Sequence, residues 1–195
     1  MSDKTESSFF ALTSRMKYIN RWGLMRNSRS ENIAEHSLDT AIIVHLLCEI
    51  HNRRLGGCVD ADRAAVLAVF HDVPEIITGD LPTPVKYFSS DISRAYKEVE
   101  SAAVENLLSR IPVDMRDDYE QIFKCEDAEL LKLVKLADKI SALIKCIEER
   151  NSGNTDFIDA EKQTLASIKS MGLKEADIFL NEFLPAYELT LDEQA

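Results

Sequence analysis

His71 and Asp72 stand side by side in the run Val69-Phe70-His71-Asp72-Val73-Pro74-Glu75, and a third ionisable side chain, Glu75, follows within the same run. A neutral imidazole beside a carboxylate is a donor pair suited to a divalent ion such as Zn, Mn, Fe or Co. Two donors do not close a coordination sphere, and an isolated His-Asp pair is more often structural or merely exposed. Further donors must come from elsewhere. The chain offers His36, in Ala34-Glu35-His36-Ser37, and Asp138, in Leu136-Ala137-Asp138-Lys139.

These residues need elements to position them. Asn32 is an N-cap with Glu35 three residues later, a capping-box signature, and it starts a predicted helix from Ile33 to about Asn52. His36, Thr40, Ile43, Leu47 and Ile50 share one face of it by three- and four-residue spacing. His36 therefore opens an inward stripe, where a buried imidazole needs a partner. His45 and His51 lie off that line and read as surface or intermediate residues. Gly56-Gly57 breaks the pattern, and Asp60 caps a second helix, Ala61 to His71. Its Ala64, Ala65, Leu67, Ala68 and Val69 are small or apolar around nearly the whole circumference, which predicts a central helix packed on several sides. That helix delivers His71 and Asp72 at its C-terminal end. Pro74 disfavours continued helix and leaves Glu75 near the pair without locking it into the same turn. Asp127 opens a third helix to about Arg150, with a broad apolar face of Leu130, Leu133, Val134, Ala137, Ile140, Leu143, Ile144 and Ile147. Asp138 sits at the margin of that face.

Between and around these helices the pattern is simpler. Phe9, Phe10, Leu12, Met16 and Ile19 fit a short amphipathic helix. Asn20 to Asn27 has no period, and on residue type alone Trp22 plugs this loop onto the core while Arg21 is solvated. Thr78-Gly79-Asp80-Leu81-Pro82-Thr83-Pro84 is a stiff turn in which Asp80 and Thr83 can cap helix ends. Lys86, Tyr87 and Phe88 follow, then a capped helix from Asp91 to Arg110 and shorter helical turns over Pro112 to Lys124. Asn151 to Asn154 is a turn, and one or two helices close the chain, with Pro185 interrupting the last. No strand alternation, repeat or low-complexity tract is present. The expected fold is all-α, a single domain over residues 1–195.

Composition narrows the partners. The chain has 195 residues and a formal net charge of −11. That balance argues against a nucleic-acid polymer, whose phosphates call for a basic surface. A small phosphate ester remains open, since a metal and one or two local cations can hold it. Cys48, Cys58, Cys125 and Cys146 show no C-x-x-C spacing and read as reduced, mostly packing thiols. Met1 to Ser8 has no apolar leader core, and no apolar run reaches the ~18 residues of a membrane span. A cytoplasmic protein is expected, with no membrane partner.

The order H…HD…D, each donor on a helix, resembles the HD-domain metal-dependent phosphohydrolases, with the core motif region at about residues 30–145. The similarity runs further. Phe9-Phe10-Ala11-Leu12, Ile19-Asn20-Arg21-Trp22, Leu24-Met25-Arg26-Asn27, Glu35-His36-Ser37-Leu38, the run from Thr78 to Phe88, and Leu189-Thr190-Leu191-Asp192-Glu193 resemble the bacterial 5′-deoxynucleotidases of the YfbR type. The H…HD…D frame is shared by many activities, whereas Thr-Gly-Asp-Leu-Pro-Thr-Pro is specific to that branch.

The resemblance implies a helical-bundle homodimer that hydrolyses deoxyribonucleoside 5′-monophosphates with one divalent transition metal, Co, Mn or similar. It implies His36, His71, Asp72 and Asp138 as metal ligands, with His36, Asp72 and Asp138 also facing substrate. Glu75 then matches the catalytic acidic residue, Arg21 the phosphate-orienting arginine and Trp22 the sugar-side aromatic. Asp80, Leu81, Pro82 and Thr83 fall in the loop that holds the nucleoside. Gly23 departs from the proline expected there, which bears on the rigidity of the Trp22 loop. The chemistry is consistent: a phosphate dianion resists attack by an anion, so the site must neutralise charge while generating a nucleophile. Two alternatives stay open. One is an HD phosphohydrolase acting on triphosphates, cyclic dinucleotides or an alarmone; the other is a non-catalytic nucleotide-sensing HD module.

Overall fold

The computed structural model describes residues 7–86 and 88–194. The first six residues of the N-terminal reading, and Tyr87, lie outside the described residues. Among the described residues there is no strand; the only pairing of that kind is an isolated antiparallel bridge, Asn20 to Asn32.

The helices begin where side chains satisfy their free N–H groups. Helix α1 is Phe9–Thr13 and α2 is Ile33–Arg54. Asn32 Oδ1 accepts from the amides of Ala34 and Glu35 at 3.0 and 3.1 Å, and the Glu35 carboxylate accepts from the Asn32 amide at 3.4 Å. The capping box is thus formed, and His36, Thr40, Ile43, Leu47 and Ile50 are all buried along one face of α2. Helix α3, Ala61–Phe70, is capped by Asp60, whose Oδ1 accepts from the Arg63 amide at 2.9 Å. It differs from the all-round burial expected of it. Ala64, Leu67 and Ala68 face the core, but Val66 and Val69 are 43% and 41% exposed. Small residues let α3 pack closely on α2, and it also meets α8 and α7, which leaves only its outward side uncovered.

Pro74 ends the run as expected. Helix α4, Glu75–Thr78, restarts at once, and Gly79 leaves it with φ 73°, a left-handed conformation that favours glycine. The proline-bounded turn is more helical than anticipated, because Thr83–Lys86 forms α5. Then come α6, Ser90–Leu108, and α7, Arg116–Phe123. Helix α8, Ala128–Asn151, is capped by Asp127, which accepts from Glu129 and Leu130 amides at 3.0 Å each. Helices α9, Ile158–Ser170, and α10, Lys174–Ile178, lead into a π-helical turn, Phe179–Phe183, and a 3₁₀ turn containing Pro185.

The main core is the packing of α2, α3 and α8 with residues of α9 and α10. A second cluster joins Phe9, Met16 and Ile33 to Val73 and to Leu107, Leu108 and Ile111. Val73 directly follows Asp72, so this cluster seats the turn that carries the His-Asp pair. Cys48 and Cys146 are buried packing thiols whose ionisation burial suppresses, pushing both up to about 12. His51 is structural: its Nδ1 lies 2.6 Å from Glu175 Oε1 and ties α2 to α10. No described helix is long and apolar enough to cross a membrane.

One polar network was invisible in the periodicity. Lys145 and Glu149, a turn apart on α8, are 5% and 2% exposed and form a buried ion pair. Glu149 also accepts from the Ser28 amide at 2.9 Å, the Ser28 hydroxyl, the Arg29 amide at 3.3 Å and Asn154 Nδ2 at 2.7 Å. Lys145 Nζ donates to the Arg29 carbonyl at 2.6 Å, and Asn154 Nδ2 to the Arg26 carbonyl at 2.7 Å. Together they fix the loop between Asn20 and Asn32 to α8. Glu149→Ala strands a buried ammonium and several amides, and is expected to cost about 3–5 kcal/mol. Urea denaturation checks this; a loss below about 1 kcal/mol would show the network to be dispensable.

Candidate metal centre and substrate pocket

His36 lies in the first turn of α2 and is fully buried. Its Nδ1 is 3.0 Å from the hydroxyl of Ser141, and its Nε2 is 3.1 Å from Asp138 Oδ1 and 3.6 Å from Asp72 Oδ2. His71, at the end of α3, places Nδ1 2.6 Å from the carbonyl of Ala68. A carbonyl only accepts, so the Nδ1 position carries the proton. The His71 Nε2 atom is buried without a hydrogen-bond partner, although Asp72 Oδ1 lies 3.1 Å away outside bonding geometry. The two ring centroids are 5.3 Å apart.

This arrangement fits a cation better than it fits a protein hydrogen-bond network. Donor atoms of His36, His71 and Asp138 all lie within 4.8 Å of one another. Two donors on one ion at ~2.1 Å are separated by at most ~4.2 Å, so a small side-chain rotation brings the group to a shared sphere. Each imidazole has its Nδ1 occupied from outside and its Nε2 turned inward, the orientation that partners of metal-bound histidines enforce.

The electrostatics follow from crowding four acids and two imidazoles. Burial resists charging His71, but the Asp72 and Asp138 carboxylates and the Ala68 carbonyl outweigh it and push the imidazole up to about 9. Burial resists charging Asp72 as well, and His71, His36 and Arg21 together hold it below the usual range. Asp138 is lowered for the same reason, with His36, His71 and Arg21 overcoming burial. Glu75 goes the other way. Burial, then the Asp72 and Asp80 carboxylates, push it up to about 9 against Arg21 and Lys86. Asp80 is raised by burial and by Asp72, despite Arg21 and the Trp22 amide.

Arg21 is not solvated, as residue type alone allowed, but lies in the site as the family resemblance implied; its side chain is only 13% exposed. The reason is local pairing, since the Arg21 amide donates to the Glu31 carbonyl at 2.9 Å and sets the two side chains beside each other. Its Nε lies 3.5 Å from Glu31 Oε2, and Nη1 is buried with no partner. Trp22 does seal the loop onto the core, its ring centroid 5.2 Å from that of the buried Phe157. Leu81 and Pro82 are half-buried, and Thr83 is exposed at the start of α5. The structure thus brings His36, His71, Asp72 and Asp138 into contact, and sets Arg21, Glu75 and Asp80 within electrostatic reach of them. Sequence reading missed Ser141 and Glu31. Ser141 stands three residues after Asp138, one turn along the same face, which was the available signal.

Two outcomes are expected. The folded-state value of His71, about 9, lies above the ~6.5 of an unfolded chain, so its stabilisation is whole below that value and lost as pH rises through 9. Glu75, also raised to about 9, is protonated folded and ionised unfolded across that range, and acts in the same direction. Chelator-treated protein should therefore show a falling Tm from about pH 6.5 to 9; a flat or rising Tm contradicts the assignment. Ser141→Ala should weaken Mn or Co binding by about tenfold or more in a competition titration, because nothing then orients His36. Unchanged affinity would show that the hydroxyl does not orient it.

Comparison with known proteins places these features in a lineage. The pattern of the family described as 5′-deoxynucleotidase YfbR-like matches residues 8–187. A 5′-deoxynucleotidase of Vibrio vulnificus is 46% identical over 190 residues, covering 96% of this chain and 98% of that protein. The 5′-deoxynucleotidase YfbR of Escherichia coli is 45% identical over 190 residues, covering 96% of each. An HD-domain phosphohydrolase from Listeria innocua superposes with a TM-score of 0.81 at 25% identity, over 92% of this chain and 88% of that one. A cyanophage S-2L HD phosphohydrolase, DatZ, solved with dA and one catalytic Zn²⁺, shares the fold with a TM-score of 0.66 at 18% identity, over 92% of this chain and 96% of that one.

Proposed function

The chain belongs to the YfbR-like 5′-deoxynucleotidase family and is a hydrolase of deoxyribonucleoside 5′-monophosphates; we propose that the pocket around His36, His71, Asp72 and Asp138 is where it works. The observation that carries this reading is the pair of imidazoles, each tied at Nδ1 and aimed at shared carboxylates through Nε2. When bound, a divalent cation supplies charge neutralisation at a phosphoryl oxygen and a water of lowered pKa. Two imidazoles and two carboxylates form a hard-to-borderline donor set suited to Co, Mn or Zn. Following the family resemblance, the working enzyme is one HD domain, a homodimer, and cytoplasmic. The exposed Leu38, Ile42, Val66 and Val69 on α2 and α3 offer an apolar surface for the second copy.

The protein's own residues then divide the task. Arg21 is held at its Nε edge by Glu31 and keeps Nη1 unpaired, ready for a phosphate oxygen. Asp72 and Asp138, kept ionised by the imidazoles and Arg21, would hold the cation, while burial and the neighbouring carboxylates favour the protonated form of Glu75. The bond that breaks leaves a negative 5′ oxygen on the sugar, a strong base. A protonated Glu75 supplies its proton, so its role is that of general acid. Trp22 packs beside the deoxyribose and disfavours a 2′-hydroxyl, and Asp80 accepts from the 3′-hydroxyl. Leu81, Pro82 and Thr83 border the nucleoside.

The test is phosphate release from a panel of deoxyribonucleoside and ribonucleoside monophosphates, with the metal content of each preparation measured. Deoxyribonucleotides should be favoured. Glu75→Gln should keep its metal and lose about 10²–10⁴-fold in kcat. Loss of metal in that variant would make Glu75 a ligand, and retained turnover would remove it from the chemistry.

A further inference from the structure

Glu31 has no place among the groups that meet substrate or metal, yet it is buried, 8% exposed, against Trp22 and Arg21. One of its oxygens, Oε2, serves two partners: it accepts from the indole Nε1–H of Trp22 at 2.8 Å and lies 3.5 Å from Arg21 Nε. Backbone pairing fixes it there. The Arg21 amide donates to the Glu31 carbonyl at 2.9 Å and the Ile33 amide to the Ile19 carbonyl at 3.0 Å, on either side of the Asn20–Asn32 bridge. Trp22 then turns back with φ 60°, a left-handed conformation that residues with a side chain rarely adopt. Among the described residues it is the only one other than glycine with positive φ. The turn swings the indole so that one edge meets Glu31 and the ring meets Phe157.

The guanidinium has other places to go. Asp72, Glu75, Asp80 and Asp138 all feel the charge of Arg21, and two of them are ligands of the proposed metal. A buried cation released from Glu31 pairs with the nearest of these and leaves the position from which it meets phosphate. We propose that Glu31 is a positioning residue that couples the two ends of substrate recognition. A single carboxylate holds Arg21 away from the metal-ligand carboxylates and toward the phosphate, and fixes the Trp22 ring at the sugar. This rests on the substrate roles given above to Arg21 and Trp22.

The two partners respond differently to substitution, which makes the coupling testable. Glutamine keeps an acceptor for the indole N–H but removes the charge facing Arg21; alanine removes both. Because Trp22 is the only tryptophan in the chain, its emission and quenching report the ring directly, without substrate. In Glu31→Gln, emission and the dAMP-to-AMP selectivity should match wild type while KM for dAMP rises about tenfold or more, with kcat nearly unchanged. In Glu31→Ala, emission should shift to the red, and selectivity should fall toward that of Trp22→Ala, with KM raised as well. If Glu31→Ala does not fold, the KM and selectivity of Glu31→Gln decide alone. Wild-type emission, KM and selectivity in a folded Glu31→Ala would overturn the proposal, as would a wild-type KM in Glu31→Gln. Arg21→Ala and Trp22→Ala measured alongside separate the two levels. If neither changes KM or selectivity, the substrate roles are wrong, whereas changes in both with none in the Glu31 variants reject Glu31 alone.

Discussion

Everything at this pocket depends on how two imidazoles are oriented. A histidine in a protein interior usually spends both nitrogens on protein partners. Here the Ala68 carbonyl claims one edge of His71, the Ser141 hydroxyl engages one edge of His36, and the opposite edges converge on Asp72 and Asp138. Without a cation this convergence is costly: it leaves a buried nitrogen unbonded and lifts the basicity of His71. Nothing in the packing alone calls for such an arrangement. A divalent ion would satisfy both nitrogens and the carboxylates at once.

The three long helices serve this point from different directions. Helix α2 brings His36 on its first turn and α3 brings His71 at its end. Helix α8 contributes Asp138 and, one turn on, the Ser141 that steadies His36. The side proposed for substrate is built by a loop rather than a helix, and loops need anchoring. Lys145, Glu149 and Asn154 give it one buried attachment, Phe157 another, and Glu31 finishes it at the pocket. A turn held at so many places can carry a left-handed tryptophan and a half-hidden arginine.

The helices, and the side chains His36, His71, Asp72 and Asp138 that they bring together, were legible because each left a local mark. Caps at Asn32, Asp60 and Asp127 announce helix starts, three- and four-residue spacing turns His36 inward, and Pro74 marks the break before Glu75. The loop was not legible. Arg21 and Glu31 meet through a single bridge between non-adjacent segments, which leaves no period to detect, and on residue type alone a solvated arginine was the natural expectation. Lys145 and Glu149 hid for a different reason: charged residues a turn apart on a helix read as a solvated pair, and only the fold places the loop amides against them. The outward face of α3 was misjudged because small and apolar residues permit burial all round without requiring it.

The most direct measurement is anomalous diffraction from crystals grown with manganese or cobalt. One ion per chain is expected, bound by Nε2 of His36, Nε2 of His71 and the carboxylates of Asp72 and Asp138, with Ser141 and Ala68 still at the outer ring nitrogens. An ion bound elsewhere, or bound through Nδ1 of either histidine, would contradict this arrangement.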